Sequence, residues 1–440
     1  MGTISILVAT TLSMAAPLSE KEILDGADAR IQQHRMSDVV VRVLDKEGKP
    51  LPAGTKVSVE QTNHDFLFGC NIFVLGSFKT PEENAAYERL FSELLNYATL
   101  PFYWWEYENQ PGETGHARIE EIARWCKAHN VKTKGHPLAW NYVDPKWIPK
   151  DAELAHSLQM ARIFREVDGF KDTIGIWDVV NEATGYDRPD CRKMAPVLTE
   201  VIRRQGVGPY LRQAFAAARA ANPSATLVIN DYRESEDFAA KVLDELVDAD
   251  RKPLYDVIGI QSHQHGGAWS ASHIWEVCER FAPRGKPLHF TETTFISGKL
   301  GWGLADSSPD HKWESTPEGE QWQAAHAAAF YTVLFSHPAV QAVTWWDFAD
   351  RMSWQGAPAG LIDKNLKPKP AYDALKALIK GKWWTKLEAE VGANGEVRFR
   401  GFHGDYAVRP VGGEDRQVTG RFHLGKGAAG PIEVKLTLVP

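Results

Sequence analysis

Two glutamates are set apart by their surroundings. Glu182 ends the run Trp177-Asp178-Val179-Val180-Asn181-Glu182, and Glu292 lies in Thr291-Glu292-Thr293-Thr294, each at the polar end of a short apolar segment. Polar clusters close four other segments in the same way: Gly135-His136-Pro137-Leu138-Ala139-Trp140-Asn141, Asn230-Asp231-Tyr232, Gln261-Ser262-His263 and Trp345-Trp346-Asp347. A carboxylic acid and a carboxylate flanking one bond can hydrolyse a glycoside. One protonates the leaving oxygen, and the other attacks the anomeric carbon when the two stand about 5–5.5 Å apart. Asn181 is placed to hydrogen-bond a sugar hydroxyl next to the reacting carbon, and His263 to orient Glu292. A lone glutamate at such a position reads as a rim salt bridge. Two of them at complementary segment ends, amid Trp, His, Asn and Gln, read as a catalytic pair.

These groups need a scaffold that brings distant segments to one rim. From Phe66 onward, short apolar strands alternate with amphipathic helices, the pattern of βα units around a parallel sheet. The strands are predicted at Phe66 to Phe73, Tyr97 to Leu100, Lys132 to His136, Ile174 to Val180, Thr226 to Asn230, Val257 to Gln261, Leu288 to Thr291 and Ala342 to Trp346. Helices are predicted between them, including one over Val197 to Ala220 and one over Phe238 to Val247, where Phe238, Val242, Leu243, Leu246 and Val247 share a face. Eight strands each followed by a helix predict an α/β fold, a closed (β/α)₈ TIM barrel. Its sites gather at the C-terminal strand ends, where Glu182 and Glu292 close the fourth and seventh strands.

The barrel is expected over residues 63–383, with small β-rich appendages at both ends. Residues 17–62 hold a charged helical stretch, Lys21 to His34, then strands at Val39 to Leu44 and Val57 to Val59 around a turn at Gly48-Lys49-Pro50. Residues 384–440 show a turn at Asn394-Gly395 and the alternation Ile432, Val434, Leu436, Leu438, which predicts a separate β-module. Residues 1–16 read as a signal peptide or its remnant. The apolar run Ile4 to Met14 precedes Ala15, Ala16 and Pro17 and is shorter than the ~20 residues of a membrane span, although no Lys or Arg comes before it. The protein is therefore expected to be secreted or periplasmic.

Composition narrows the partners. A chain of 440 residues holds one large barrel with additions or about three average domains. Its 50 basic and 57 acidic residues, net −7, are scattered and offer no basic stripe to nucleic acid or anionic lipid. Nucleic acid and membranes are thus not expected as partners; the two carboxylates call for a polysaccharide or oligosaccharide, and the chain is expected to be a monomer. Cys70, Cys126, Cys191 and Cys278 are too widely spaced for a metal or redox pair and read as buried thiols, so no cofactor is expected. The 16 tryptophans suit both core packing and stacking on sugar rings.

In order along the chain, several motifs resemble glycoside hydrolase family 10, the (β/α)₈ enzymes known chiefly as retaining endo-β-1,4-xylanases. They are Phe68-Gly69, Gly135-His136-x-Leu138-x-Trp140, Pro145-x-Trp147, Trp177 to Glu182, Gln261-x-His263, Thr291-Glu292, and Trp346…Asp350-x-x-Ser353-Trp354 with Lys369-Pro370-Ala371-Tyr372. The resemblance spans roughly Phe66 to Leu378. It implies Glu182 as acid/base and Glu292 as nucleophile, and it puts His136, Trp140, Asn181, Gln261, His263, Trp346 and Trp354 on the sugar sites.

The sequence departs from the family pattern in four places. The polar Glu-Asn-x-x-Lys-Trp run that holds a sugar at subsite −2 is replaced by Leu100-Pro101-Phe102-Tyr103-Trp104-Trp105. Asn141 stands for a histidine, Thr294 for an aspartate and Asp347 for a glycine. Loss of that aspartate implies that the ionisation of Glu292 is set differently from the family norm. Two other classes compete. A metal-dependent hydrolase would use His136 with His263 and His265, but residues two apart in numbering with one between are not a helical HExxH pair. A catalytically silent sugar-binding barrel would keep the tryptophans and lose a carboxylate, and both carboxylates are present.

Overall fold

The computed structural model describes residues 18–301, 313–412, 418–428 and 430–438. The apolar run read as a signal sequence lies outside the described residues. Eight parallel strands close into a barrel in chain order: β1 (Leu67–Asn71), β2 (Tyr97–Pro101), β3 (Lys132–His136), β4 (Ile176–Asn181), β5 (Thr226–Asp231), β6 (Val257–Gln264), β7 (Leu288–Phe295) and β8 (Val340–Trp345). This is the (β/α)₈ fold expected from the alternation. Every residue of β7 is buried, as a strand covered by helices outside and packed within requires. The outer helices start where a short polar side chain can accept from a free backbone N–H. Thr80, Asp151, Ser270 and Thr316 cap the helices Pro81–Leu94, Ala152–Gly169, Ala271–Phe281 and Pro317–Ser336 in this way.

Two predicted helices differ from the expectation. The one over Val197 to Ala220 is two helices, Pro196–Gln205 and Val207–Ala221, broken at Gly206, whose φ of 79° lies outside helical space. The stripe Phe238, Val242, Leu243 and Leu246 is buried as predicted, but only Glu236–Phe238 is α-helical before the backbone widens into a looser turn over Ala239–Leu243. An apolar face at helical spacing thus survives where the backbone ladder does not.

The flanks are β-rich, as predicted, but they do not form two separate modules. Strand Met36–Leu44 lies between Glu396–Phe402 and Pro431–Lys435, while Lys56–His64 lies between Lys386–Glu390 and Gly404–Pro410. The two N-terminal strands do not pair with each other. Each completes a sheet made mostly of C-terminal strands, and both sheets bury one core of Val41, Val43, Val57, Val59, Tyr406, Val408, Leu424 and Val434. The alternation from Ile432 to Leu438 switches sheets at Leu436, so Thr437–Leu438 pairs with Val418–Leu424 and Leu438 is exposed.

The helical stretch before them belongs to the barrel. Half-buried Arg35 donates to the carbonyls of Phe335 (2.7 Å), His337 (2.6 Å) and Val340 (2.7 Å), where the last long helix turns into β8. All four cysteines are buried and unpaired. Among the described residues, no helix is long and apolar enough to cross a membrane.

One motif glycine has a packing reason. Gly135 on β3 is paired with Trp177 on β4, and a Cβ there would lie 2.2 Å from the indole Cζ3. Gly135→Ala is expected to lower stability by ~1–3 kcal/mol, the cost of overpacking a core. Denaturant unfolding of the two proteins checks this, and equal midpoints would mean that Trp177 yields freely.

Candidate active site

The C-terminal ends of the barrel strands open into a cleft of about 750 Å³, a volume typical of ligand sites. Each strand contributes through its last turn, because the closed barrel points all eight carboxyl ends the same way. Glu182, Glu292, His136, Trp140, Asn181, Gln261, His263, Trp346 and Trp354 all line this cleft, so the nine residues singled out in the sequence come together.

Glu292 is buried among donors. Asn230 Nδ2 donates to Oε1 (2.8 Å), His263 Nε2 stands 3.2 Å from Oε2, and His136 Nε2 lies 3.9 Å from Oε1. Burial by itself pushes the carboxyl pKa up. Its neighbours outweigh burial, His136 first, then His263, then Lys134, and hold it down at about 2. Lys134, fully buried two residues before His136 on β3, is itself lowered by burial and drawn back up by Asp178 and Glu292. His136 is fixed by Asp178, whose Oδ2 is 2.6 Å from Nδ1.

Glu182 is half-buried and leaves β4 in the left-handed region at φ 57°. Its backbone N–H bonds the Asn230 carbonyl at 2.9 Å, and its carboxylate accepts from Gln261 Nε2 (3.1 Å, at Oε1) and Arg188 Nη1 (2.5 Å, at Oε2). Asn181 ties the two carboxylates together. Its Oδ1 accepts from Asn230 (2.9 Å) and Gln261 (3.3 Å), the same amides that donate to Glu292 and Glu182. With the oxygen so used, the Asn181 NH₂ group is left for the cleft it lines.

The three potential metal ligands that converge among the described residues are His136, Asp178 and Glu292, with one ligand atom each within 4.8 Å of the others. All three already serve as hydrogen-bond partners around Glu292. Lys134 also interacts electrostatically with Asp178 and Glu292.

The sequence model of glycosyl hydrolase family 10 matches residues 72–378. The chain belongs to glycosyl hydrolase family 10. Among its curated relatives, the anti-sigma-I factor RsgI6 of Acetivibrio thermocellus is 23% identical over 395 residues, 88% of this chain but 46% of that protein. Endo-1,4-beta-xylanase B of Thermotoga neapolitana is 28% identical over 282 residues, 60% of this chain and 74% of that protein. In structure, xylanase 10B from Thermotoga petrophila RKU-1 in complex with xylobiose matches with a TM-score of 0.58 at 24% identity, over 72% of this chain and 95% of that one, a likeness of fold.

Each departure from the family 10 pattern has a local partner. Thr294, in the aspartate position, puts Oγ1 3.3 Å from His263 Nδ1 and accepts from the Gln264 N–H at 3.2 Å, so a neutral hydroxyl orients the histidine. Asn141 donates to the Tyr186 carbonyl (2.7 Å) and Thr199 Oγ1 (2.9 Å), pinning the loop after β4. Asp347 accepts from Asn71 Nδ2 and from the Trp354 N–H (2.6 Å), which seats Trp354 over His263 with ring centroids 4.8 Å apart. The segment after β2 forms an aromatic wall. Tyr103 packs against His136, Trp140 and Trp105, and Trp105 against Trp140 and Tyr142. This wall is anchored from behind, where Arg162 bonds the Phe102 carbonyl (2.5 Å) and Arg165 and Trp104 hold the Glu108 carboxylate.

Sequence reasoning missed Arg188, Asn230 and Lys134 as parts of the site. Asn230 stood in a noted strand-end cluster, and Lys134 shares a strand face with His136 by period-2 spacing. Arg188 carried no signal, because it sits in a loop with no periodicity.

Since a positive Lys134 favours the ionised form of Glu292, Lys134→Met should raise the carboxyl pKa and move the acid limb of kcat/KM to higher pH. The stability that ionised Glu292 contributes is complete above the ordinary carboxylate range and lost as pH falls through about 2 in the native protein. In the variant the contribution should be smaller and its loss complete at a higher pH. Superimposable pH–rate profiles would show that Lys134 does not act on Glu292.

Proposed function

We propose that this protein is a retaining glycoside hydrolase that cleaves β-glycosidic bonds of xylan-type plant polysaccharide or its oligosaccharides. The observation that carries the reading is the pair of carboxylates at the two ends of one amide chain. Glu292 is held ionised, and Glu182 faces the same cleft from β4. The family and the xylanases among its relatives support the substrate class. A polymer cannot cross a membrane, so we place the enzyme outside the cytoplasm.

In this mechanism Glu292 attacks the anomeric carbon as the bond to the leaving oxygen breaks, and Glu182 delivers a proton to that oxygen. Asn181 donates to the hydroxyl beside the reacting carbon. Glu182, now a base, takes a proton from water, which attacks the glycosyl–Glu292 ester and frees the carboxylate with net retention. His263 and Asn230 orient Glu292 for both steps.

Proton NMR of the first-formed sugar should show the retained anomer, and an inverted one would eliminate Glu292 as nucleophile. Glu292→Ala should abolish turnover of every substrate. Glu182→Ala should lower turnover of natural glycosides by roughly 10²–10⁴-fold while sparing aryl glycosides whose leaving group needs no proton. Equal losses on both substrate types would contradict these roles.

The aromatic wall refines the substrate. A site that recognises a sugar by hydrogen bonds discriminates strongly when the bonds are absent. Tyr103 and Trp105 offer stacking surface where the family run offers polar groups. We therefore expect weak action on long unsubstituted xylan and better turnover of short, decorated or aryl β-glycosides. Product sizing on both substrates tests this, and vigorous random cleavage of linear xylan would mean that the wall does not obstruct the glycone side.

A further inference from the structure

Arg188 is the single lysine or arginine among the described residues lining the cleft, whose other charged groups include Glu106, Glu182, Glu234, Glu292 and Asp347. It does not stand back from the chemistry. Its Nη1 is 2.5 Å from Glu182 Oε2, its Nε is 3.4 Å from Asp190, and its guanidinium lies over the Tyr232 ring at 5.2 Å. Arg233 approaches the same ring at 5.0 Å. With Gln261 donating to the other oxygen, both oxygens of Glu182 accept hydrogen bonds, the arrangement of a carboxylate and not of an acid about to give up a proton.

This inference rests on Glu182 being the acid/base. An acid/base must adjoin the leaving group, so Arg188 and Tyr232 border the leaving-group side of the cleft. The backbone around Arg188 is pinned, since Thr184 N–H bonds Asp231 (2.9 Å) and Asn141 bonds the Tyr186 carbonyl. Only the partly exposed side chain has to swing for its partner to change. A guanidinium prefers a carboxylate it can grip with two parallel N–H bonds, and it grips Glu182 with one.

We propose that Arg188 reads a carboxylate carried by the leaving-group sugar, exchanging Glu182 for the substrate's anion and so freeing Glu182 to act as an acid. The ligand class is a uronic acid, joined to the chain or branching from it on the aglycone side. Glu234 opposes an anion there, but it is shared with His273 at 3.9 Å. Neutral substrates meet the resting pair intact and turn over more slowly.

The test compares kcat/KM of the full chain on xylo-oligosaccharides bearing glucuronic acid on the leaving-group side and on their methyl esters, which keep the shape and remove the charge. The free acid should be favoured by about tenfold or more, as a charge-assisted hydrogen bond allows. Raising ionic strength from about 0.01 M to about 1 M should shrink that ratio. Arg188→Gln should bring it close to one, and Arg188→Lys should keep part of it. Equal rates on acid and ester in the wild-type enzyme, or faster cleavage of the ester, would overturn the proposal even if the substitutions prevent folding. A ratio that survives Arg188→Gln would also overturn it. Unbranched neutral oligosaccharides serve as the control: if they are hydrolysed while the ratio is one, the glycosidase reading stands and only the role of Arg188 falls.

Discussion

Glu292 is a buried carboxylate, and keeping such a group ionised costs several kcal/mol unless donors and positive charge surround it. No single strand can supply that environment. The donors come from β5 through Asn230 and β6 through His263, and further electrostatic support comes from β3 through His136 and Lys134. A closed barrel is one of the few frames that sets the ends of nonadjacent strands around one point, and Asp178 on β4 then fixes His136. The rest of the cleft is organised outward from this polar centre. Asn181 and Gln261 extend its hydrogen bonds to Glu182, so the two carboxylates are joined through one chain of side-chain amides.

Around that centre the protein's departures from the family pattern serve to hold neighbouring groups. Where the family pattern has a histidine, an aspartate and a glycine, this chain has Asn141, Thr294 and Asp347, and each is spent on holding a neighbour: a loop carbonyl, a ring nitrogen, a backbone N–H. Burial raises the pKa of Asp347, and its bonds to Trp354 and Asn71 work against that rise. The aromatic wall of Tyr103, Trp105, Trp140 and Tyr142 depends in turn on an ionic cluster outside the cleft, in which the exposed Arg165 pairs with buried Glu108 and Glu166 beside buried Arg162.

The β-rich flanks are tied to the barrel at both ends. Arg35 fastens the N-terminal helices under the end of the last long helix, and His64, at the end of the strand leading into β1, faces the Ile379 carbonyl at 3.0 Å. Because Met36–Leu44 and Lys56–His64 sit inside sheets of C-terminal strands, the first and last parts of the chain must meet before either sheet is complete. RsgI6, which matches 88% of this chain, extends over more of it than the xylanases do.

The sequence by itself determined the barrel, its strand ends and the nine cleft residues. Apolar runs at strand length and polar clusters at their ends are local patterns, and the barrel turns every such end to the same rim. It determined Gly135 as a motif residue without the reason, since the Trp177 ring that excludes a Cβ comes from the next strand. Only the tertiary structure decided which partners those residues have. Gly206 breaks a helix whose apolar spacing runs on past it, and Leu436 carries one alternating strand from sheet to sheet. Arg188 lies in a loop six residues past Glu182, where nothing periodic marks it, and reaches the carboxylate only because the loop folds back over the strand end. Periodicity encodes which face is buried; pairing across the chain is encoded by complementarity between segments, which no single segment displays.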